Sequence, residues 1–379
     1  MNPVIEKNLF RSDDLVIDFF SNGTCVDKIV AFTFTPHENN GDFWLNGTGY
    51  AGDFLLQNNF DVVAFKSAKN LWYQNLTHET LALIERFIDT HPAGHTKRVG
   101  YGSSMGAYAA IQFSRALKLN TVLAISPQLE IDKRYDRRWA QEARQVNFRH
   151  RIDKHAVWGS CRYFIAYDPE TDDALHVKKF RSLVHQRQLE EIRVRFSGHP
   201  TTTYFAETGI IKDIALSVLR SGSLGAIDVL SRRRHSAHYL LGLSGNLTMR
   251  RKYRSALIAI DKAISLGANT AEFHLQRCQV LHGLGRHEEA LRAQDDARRS
   301  IGDDVHLQVI LSHHLAKYLD FTSAMELAKP ALQRFPSDSR LMLHVALLHI
   351  MHGGLTHWAR GAVYALRSFL LYLKLRTLK

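Results

Sequence analysis

The sequence predicts a mostly parallel, doubly wound α/β sheet followed by an all-helical array of repeats. Three observations support this fold class: strands alternate with helices over residues 28–196, a strand–turn–helix stretch covers residues 99–110, and a 34-residue period governs the second half. With 379 residues, 45% of them hydrophobic, the chain can form two domains. We expect an α/β domain over residues 1–222, a linker over 223–236 and a helical domain over 237–379.

The positive charge is concentrated in the second half of the chain. Residues 1–222 carry 27 Lys and Arg against 25 Asp and Glu, whereas residues 223–379 carry 22 against 12. Two explanations stay open: an unfocused basic surface, or attraction to an acidic partner or an anionic surface. No apolar run is long enough to span a bilayer and no signal-peptide pattern opens the chain, so we expect a cytoplasmic protein.

The first half alternates short apolar runs with helical patterns. The first two runs, 15–20 and 28–35, flank a Ser-Asn-Gly-Thr turn and are predicted to pair as a hairpin. Further strands are predicted at 60–65, 98–100, 121–125, 162–166 and 192–196, with helices at 41–57, 77–90, 107–117 and 174–189. In such a sheet, reactive residues collect where the parallel strands end.

The stretch around Ser104 has the pattern of a nucleophile elbow. Gly102 and Gly106 stand two residues either side of Ser104, after an apolar strand and before an alanine-rich helix. A nucleophile on so sharp a turn needs small residues at these two places, because larger side chains would collide across it. Ser104 is therefore the candidate nucleophile, and the backbone N–H of Met105 is a candidate oxyanion donor at the start of the helix.

Two later strands end in residues that such a serine requires. His199 follows its strand in a Ser-Gly-His-Pro turn and is the candidate base. The preceding strand is followed by Asp168, Asp172 and Asp173, any of which would orient the imidazole. Asp173 is favoured over Asp168, because the latter directly precedes a proline and suits a turn. Helix capping or turn formation is the alternative role of these acids.

With the order Ser, Asp, His, residues from about 10 to 220 resemble a small α/β-hydrolase. The resemblance implies that Ser104 is the nucleophile, Asp173 the acid and His199 the base. It also implies a second oxyanion donor in the loop after residues 28–35, near Thr35 to His37, although the common His-Gly loop is absent there. The Asp-Ala-Leu-His motif at 173–176, after Tyr-Asp-Pro, is similar to hydrolase-like proteins of bacterial surface-glycan and accessory-secretion systems.

Two further segments bear on the substrate. Trp72, Tyr73 and Gln74 follow a strand at the same predicted edge and are candidates to line the substrate site, with core packing as the alternative. Residues 128–159 are rich in Lys and Arg and lie where many hydrolases insert a lid. A basic lid would favour an anionic substrate, whereas a solvated helical hairpin would have no such role.

The second half resembles tetratricopeptide repeats. Alanines recur every 34 residues in two sets seven residues apart, and an aromatic position precedes the first set by three: Ala256, Ala290, Ala324; Ala263, Ala297, Ala331; Tyr253, His287, Phe321. Alanines at this period let paired helices approach closely. The resemblance implies a groove that binds a protein or peptide. The basic charge predicts that this partner is acidic. Residues 368–376 are predicted to form a capping helix, with peripheral membrane contact as the alternative.

The sequence thus predicts a serine hydrolase that acts on a carboxylic ester, for instance an acyl group on a glycan, joined to repeats that bind a partner. An acyltransferase on the same residues and a non-catalytic scaffold are the alternatives. The three cysteines are far apart and lack metal-type spacing, so we expect neither disulfides nor a metal site. We expect no cofactor and no nucleic-acid partner.

Overall fold

A computed structural model describes residues 5–25, 27–38, 44–132, 136–139, 142–301, 305–317, 321–336, 338–352, 361–366 and 368. The chain divides into two compact units, Met1–Gly242 and Leu243–Lys379. Residues 223–236, predicted as the linker, lie within the first unit, where Leu224 and Val229 pack against buried residues. Among the described residues, no helix combines the length and the apolar character that crossing a membrane requires.

The first unit is built on an eight-stranded sheet in the order β1-β2-β4-β3-β5-β6-β7-β8. Its strands are β1 Ile5–Arg11, β2 Leu15–Ser21, β3 Ile29–Phe34, β4 Asp61–Ser67, β5 Lys97–Ser103, β6 Thr121–Ile125, β7 Arg162–Tyr167 and β8 Leu189–Arg193. Strands β3 to β8 are parallel, and β2 runs antiparallel to both β1 and β4. The predicted mostly parallel sheet is confirmed.

The predicted hairpin between the first two apolar runs is wrong. Strand β2 pairs with β4, and β3 lies between β4 and β5. All six residues of β3 are buried, which suits a central parallel strand covered on both faces. The turn residues between β2 and β3 therefore belong to a connection that passes over β4. Strand β1 was not predicted because, as an edge strand, it carries several exposed polar residues.

Helices cover both faces of the sheet, because successive residues of each buried strand point to opposite sides. On one face, Phe32 and Phe34 of β3 pack in a core with α2, α3 and α5, and on the other, Ala31 packs in a second core with α1, α6 and α7. The helices are α1 Gly52–Gln57, α2 His78–Asp89, α3 Met105–Gln112, α4 Glu142–Gln145, α5 Asp173–Arg181, α6 Thr202–Glu207 and α7 Ile211–Leu216.

The charged segment 128–159 is neither a helical hairpin nor a detached flap in its described residues. These residues contain a 3-10 turn at Arg137–Trp139 and the four-residue α4. Leu129, Ile131 and Ile152 are buried in the core that also holds α3. The described residues of the segment are therefore packed onto the sheet's helical layer and do not form a solvated helical hairpin. The role of the segment as a basic lid stays a prediction.

The second unit is an array of antiparallel helices. It contains α9 Tyr253–Ser265, α10 Ala271–Gly283, α11 His287–Ser300, α12 Val305–Lys317, α13 Phe321–Arg334 and α14 Ser339–His352, and α8 Ala237–Met249 spans the division between the units. All six periodic alanines are 0% exposed. The predicted repeat architecture is confirmed. The predicted capping helix at 368–376 lies, apart from Ser368, outside the described residues.

Two details explain the 34-residue period physically. An ideal Cβ on Gly283 would lie 2.3 Å from the ring of Tyr253, so the aromatic residue fills space that only glycine leaves open. The hydroxyls of Ser244 and Ser312 donate to the carbonyl oxygens of residues twelve positions later, at 3.0 and 2.7 Å. Buried Cys278 stands midway between these serines, 34 residues from each, so it occupies the same small-residue position of its repeat.

Candidate active site

Ser104 stands on a strained turn between β5 and α3. Its backbone has φ 53° and ψ −115°, which a residue with a side chain adopts only when the surroundings impose it. An added Cβ on Gly102 would lie 2.3 Å from the carbonyl oxygen of Gly106, and one on Gly106 would lie 2.2 Å from that of Phe34. Both glycines are therefore required sterically, as the sequence pattern predicted.

The turn brings Ser104 to His199 and Asp173. The Oγ of Ser104 lies 3.1 Å from Nε2 of His199, and Nδ1 of His199 lies 3.0 Å from each carboxylate oxygen of Asp173. Asp173 is fully buried, Ser104 is 5% exposed and the His199 side chain is 13% exposed. In this hydrogen-bonded order an imidazole can take the proton of a serine while the carboxylate orients the ring and stabilises its charged form.

The three acids that follow β7 have different positions. Asp173 begins α5 and faces His199, whereas Asp172 is exposed. Asp168 accepts hydrogen bonds from the backbone N–H groups of Glu170 and Gly198, at 2.9 and 2.8 Å. Asp168 therefore fixes the turn that carries His199, and Asp173 contacts the imidazole itself.

The Asp173 carboxylate has two further partners that sequence reasoning missed. Nη2 of Arg138 donates to its Oδ1 at 2.8 Å, and the Gln128 side-chain amide donates to the same oxygen at 3.1 Å. Arg138 is held in turn by Asp136. Burial raises the pKa of Asp173, but the hydrogen bond from His199 and the charge of Arg138 outweigh it and lower the pKa to about 2. Asp173 is therefore ionised at neutral pH.

The two predicted oxyanion donors differ in whether their N–H groups are already hydrogen-bonded. Met105 is the first residue of α3, so its backbone N–H has no acceptor within the helix. Thr35 is corrected: its N–H donates to the carbonyl oxygen of Phe65 at 3.2 Å, and its hydroxyl lies 2.9 Å from that of Tyr73. Its N–H is thus used inside the protein, and its hydroxyl is bonded to that of Tyr73. A single sequence cannot show this, because it depends on how β3 and β4 end side by side.

The rings of His37, Trp72 and Trp139 form an aromatic group beside His199. Of the predicted substrate-lining residues, only Trp72 belongs to this group. The Tyr73 hydroxyl donates to the Thr35 and Phe65 carbonyl oxygens, and Tyr73 is fully buried. The Gln74 amide donates to the Tyr108 hydroxyl and accepts from the His150 backbone. These two side chains pack and bond within the protein, which corrects their prediction as substrate contacts.

Trp139 was not predicted and lies nearer the reactive residues. Its ring is 6.3 Å from that of His199, 5.2 Å from Trp72 and 5.0 Å from His37, measured between centroids. Its indole N–H donates to Gln128 at 2.6 Å. Trp139 is partly exposed, whereas Trp72 is fully buried. The sequence signal for Trp139 was its position in the segment that follows β6, because the ends of parallel strands converge at one edge of the sheet.

The sheet order, the strained serine turn and the order Ser, Asp, His define the α/β-hydrolase fold, and the second unit has the helical hairpins of tetratricopeptide repeats. No family model matches the sequence, and no curated protein matches it either.

Several solved structures are similar to parts of the chain. The Pyrococcus furiosus esterase Pf2001 is 16% identical with a TM-score of 0.43, and the match covers 59% of this chain and 92% of that one. A capsule O-acetyltransferase of Neisseria meningitidis serogroup A is 14% identical with a TM-score of 0.36, over 54% and 93%. YrrB, described as a TPR protein with an unusual peptide-binding site, is 14% identical with a TM-score of 0.31, over 45% and 91%.

Proposed function

We propose that the first unit is a serine hydrolase that cleaves carboxylic esters. The observation that carries the proposal is the continuous hydrogen-bonded chain from the Ser104 hydroxyl through His199 to Asp173. A hydroxyl is a weak nucleophile at neutral pH and becomes effective when an adjacent base takes its proton. The strained turn, the buried acid and the imidazole between them supply these conditions together.

The reaction proceeds in two halves. In the first, Ser104 Oγ attacks the ester carbonyl while its proton passes to Nε2 of His199, and the Asp173 carboxylate stabilises the imidazolium. The tetrahedral intermediate collapses, the C–O bond to the alcohol breaks, and His199 returns the proton to the departing alcohol oxygen. In the second half, water gives its proton to His199 and attacks the acyl-serine, which releases the acid and restores the Ser104 hydroxyl.

The oxyanion of the intermediate is stabilised at the start of α3. The Met105 N–H is the first donor, and the positive end of the helix dipole adds to it. We place the second donor in the connection that follows β3. The Thr35 N–H is already bonded to the Phe65 carbonyl oxygen, and Pro36 has no N–H.

The aromatic group beside His199 supports a sugar as the alcohol portion of the ester. The departing alcohol takes its proton from His199, so it must lie on the imidazole side of the scissile bond. Trp139 is a partly exposed ring on that side, and indole faces stack on the apolar faces of sugars. An acylated glycan is therefore our proposed substrate class.

Acyl transfer is the second candidate function. The low solvent exposure of Ser104 and His199 supports it. Ser104 is 5% exposed and the His199 side chain 13%. Transfer to a second hydroxyl competes with hydrolysis only where water is excluded from the acyl-serine. The same three residues would perform both reactions, with the acceptor hydroxyl replacing water in the second half.

For the second unit we propose binding of an acidic peptide or protein segment. Tetratricopeptide arrays bind extended segments in a concave groove, and residues 243–379 carry 19 Lys and Arg against 11 Asp and Glu. The proposal predicts that affinity for an acidic model peptide falls as salt is raised from about 0.05 to 0.5 M, because screening shortens the range of the attraction. An affinity independent of salt would contradict it.

The direct test of the catalytic proposal is a fluorophosphonate probe, which forms a covalent bond only with an activated serine. The unaltered chain and Ser103→Ala should be labelled, and Ser104→Ala should not. Ser103 is a matched control, because it is the adjacent serine and its hydroxyl bonds to Thr202 at 2.8 Å. Absence of labelling in folded, unaltered protein would overturn the proposal.

Hydrolysis and transfer are separated by adding acceptors. An acyl ester with a chromogenic alcohol is supplied with and without a high concentration of a free sugar. A hydrolase releases the free acid in both cases, whereas a transferase gives acylated sugar as its main product. Both products should disappear in Ser104→Ala, which ties either outcome to this site.

A further inference from the structure

Three potential metal ligands lie together at the amino edge of the sheet, away from the strand ends that hold Ser104. Asp61 is the first residue of β4, and His95 lies two residues before β5. Cys25 lies in the connection that leads into β3, the strand between β4 and β5. Because these three strands are parallel, their amino ends meet at one edge, which brings together residues that are 34 or more positions apart.

The donor atoms are close enough to share one ion. The Cys25 sulfur, a carboxylate oxygen of Asp61 and a ring nitrogen of His95 all lie within 4.8 Å of one another. An ion with bonds of about 2.0 to 2.3 Å in tetrahedral geometry holds its ligands about 3.3 to 3.8 Å apart. Nε2 of His95 now lies 2.7 Å from Oδ2 of Asp61, so binding requires only a small separation of this pair.

Two of the three side chains are buried, and their polar groups are incompletely satisfied, whereas Cys25 is partly exposed. The Asp61 and His95 side chains are 1% and 0% exposed. Within the part of the chain that the structure describes, Oδ1 of Asp61 and Nδ1 of His95 have no hydrogen-bond partner. Buried polar atoms are nearly always paired, and a buried carboxylate in particular needs a proton donor or a cation. The His–Asp hydrogen bond therefore leaves one oxygen of Asp61 and one nitrogen of His95 that a bound ion or its water ligand would satisfy.

We propose that Cys25, Asp61 and His95 bind a zinc ion, with water as the fourth ligand. A thiolate, an imidazole and a carboxylate together favour zinc over magnesium or calcium, which prefer oxygen ligands alone. The ion would tie together the segments that begin three neighbouring strands. This inference is independent of the proposed hydrolase activity, since none of these residues belongs to the Ser104 site.

The Cys25 thiol is held beside the other two ligands. It donates to the Ile29 carbonyl oxygen at 3.2 Å, and its sulfur lies within 4.8 Å of the donor atoms of Asp61 and His95. Zinc binds cysteine as the thiolate, so binding would release the thiol proton to solvent.

His91 provides a matched control within the same loop. Its ring stacks on that of His95 at 5.1 Å, but its Nδ1 accepts the backbone N–H of Ala93 and it is not among the three clustered ligands. Cys161 and Cys278 are buried cysteines elsewhere in the chain and control for nonspecific thiol binding. Substitution of these residues should leave zinc affinity unchanged.

The first test is titration of the full chain with Co²⁺ as an optical substitute for zinc. The unaltered protein, His91→Gln and Cys161→Ser should show a thiolate-to-cobalt absorption band that excess Zn²⁺ removes. Cys25→Ser should lack the band, and His95→Gln should weaken cobalt binding at least tenfold. Absence of the band in the unaltered protein, or its persistence in Cys25→Ser, would refute the zinc site.

A second measurement needs no substitution and so does not depend on a variant folding. The unaltered chain is alkylated with iodoacetamide with and without saturating Zn²⁺, and each cysteine is quantified by peptide mass spectrometry. Zinc should slow modification of Cys25 specifically, and an unchanged rate at Cys25 overturns the proposal. Ser104→Ala should show the same protection, which separates this result from the fate of the hydrolase proposal.

Discussion

The two edges of the parallel sheet each hold a buried histidine–aspartate pair, and the differences between the pairs define their chemistry. At the carboxyl edge, His199 bonds Asp173 at 3.0 Å and faces a serine on a strained turn. At the amino edge, His95 bonds Asp61 at 2.7 Å and lies near a cysteine. A His–Asp pair alone therefore indicates no particular function; the third residue and the remaining hydrogen bonds decide it.

The two carboxylates are satisfied to different degrees. Asp173 accepts from His199, Arg138 and Gln128, so its negative charge is stabilised by protein groups. Asp61 has one bonded oxygen and one without a partner among the described residues. The first arrangement holds an anion ready to stabilise an imidazolium, and the second suits a cation. Four predictions test this contrast, beginning with the largest expected effect.

Substitution of the proposed nucleophile should give the largest difference in kcat between the two edges. Ser104→Ala should lower kcat for an activated ester by roughly 10⁶-fold, as loss of a triad serine does, because no other group attacks the carbonyl. Cys25→Ser should leave kcat unchanged, since its sulfur lies at the other edge. Steady-state kinetics of both variants check this, and an equal loss in the two would remove the distinction between the edges.

The two aspartates should differ nearly as much. Asp173→Asn keeps the volume of the side chain but removes the charge that stabilises the imidazolium, so kcat should fall roughly 10⁴-fold. Asp61→Asn should retain the rate of the unaltered protein and lose zinc affinity. The measurements are kcat on an activated ester and cobalt titration, with circular dichroism as the folding control. A slow Asp61→Asn enzyme with normal structure would count against separate roles.

Zinc should stabilise the chain through one edge alone. An ion that binds only the folded state raises the free energy of unfolding, by about 2.7 kcal/mol when it is present at 100 times its Kd. Denaturant unfolding with zinc and with a chelator measures this difference. Ser104→Ala should show the full effect, and His95→Gln should show at most about half of it at the same zinc concentration. Equal stabilisation of His95→Gln would locate the ion elsewhere.

Acid should reveal the charge on Asp173. Its folded pKa of about 2 lies below the value of about 3.9 in an unfolded chain, so its contribution is complete above pH 4 and is lost as the pH falls toward 2. The expected loss is about 2 kcal/mol. Denaturant unfolding between pH 5 and 2 should therefore give a shallower pH dependence for Asp173→Asn than for the unaltered chain. Parallel curves would mean that folding does not lower the pKa of Asp173.

Local sequence patterns predicted the features that depend on neighbouring residues. The glycines around Ser104 follow from one tight turn, and the alanines of the repeats follow from one helix pair repeated every 34 residues. The geometry among Ser104, Asp173 and His199 was accessible because parallel strands end at one edge, so residues just after strands could be grouped. Their roles as nucleophile, acid and base remain proposals.

Features that depend on strand order could not be predicted in the same way. The predicted hairpin was wrong because β3 lies between β4 and β5. The same strand order brings together the three loops that carry Cys25, Asp61 and His95. Thr35 failed as a donor because the end of β4 takes up its N–H. Pairwise spacing along the chain contains none of this information, since it requires knowing which strand ends are neighbours.

One connection, between β7 and α5, governs two members of the reactive group. Asp173 at its end contacts the imidazole, and Asp168 at its start anchors the backbone next to His199. Any displacement of this connection would carry acid and base along as a single body, whereas Ser104 is attached to a different strand. The hydrogen bonds of this connection therefore set the separation between imidazole and carboxylate, whereas the separation between hydroxyl and imidazole depends on how β5 and the His199 turn are held together.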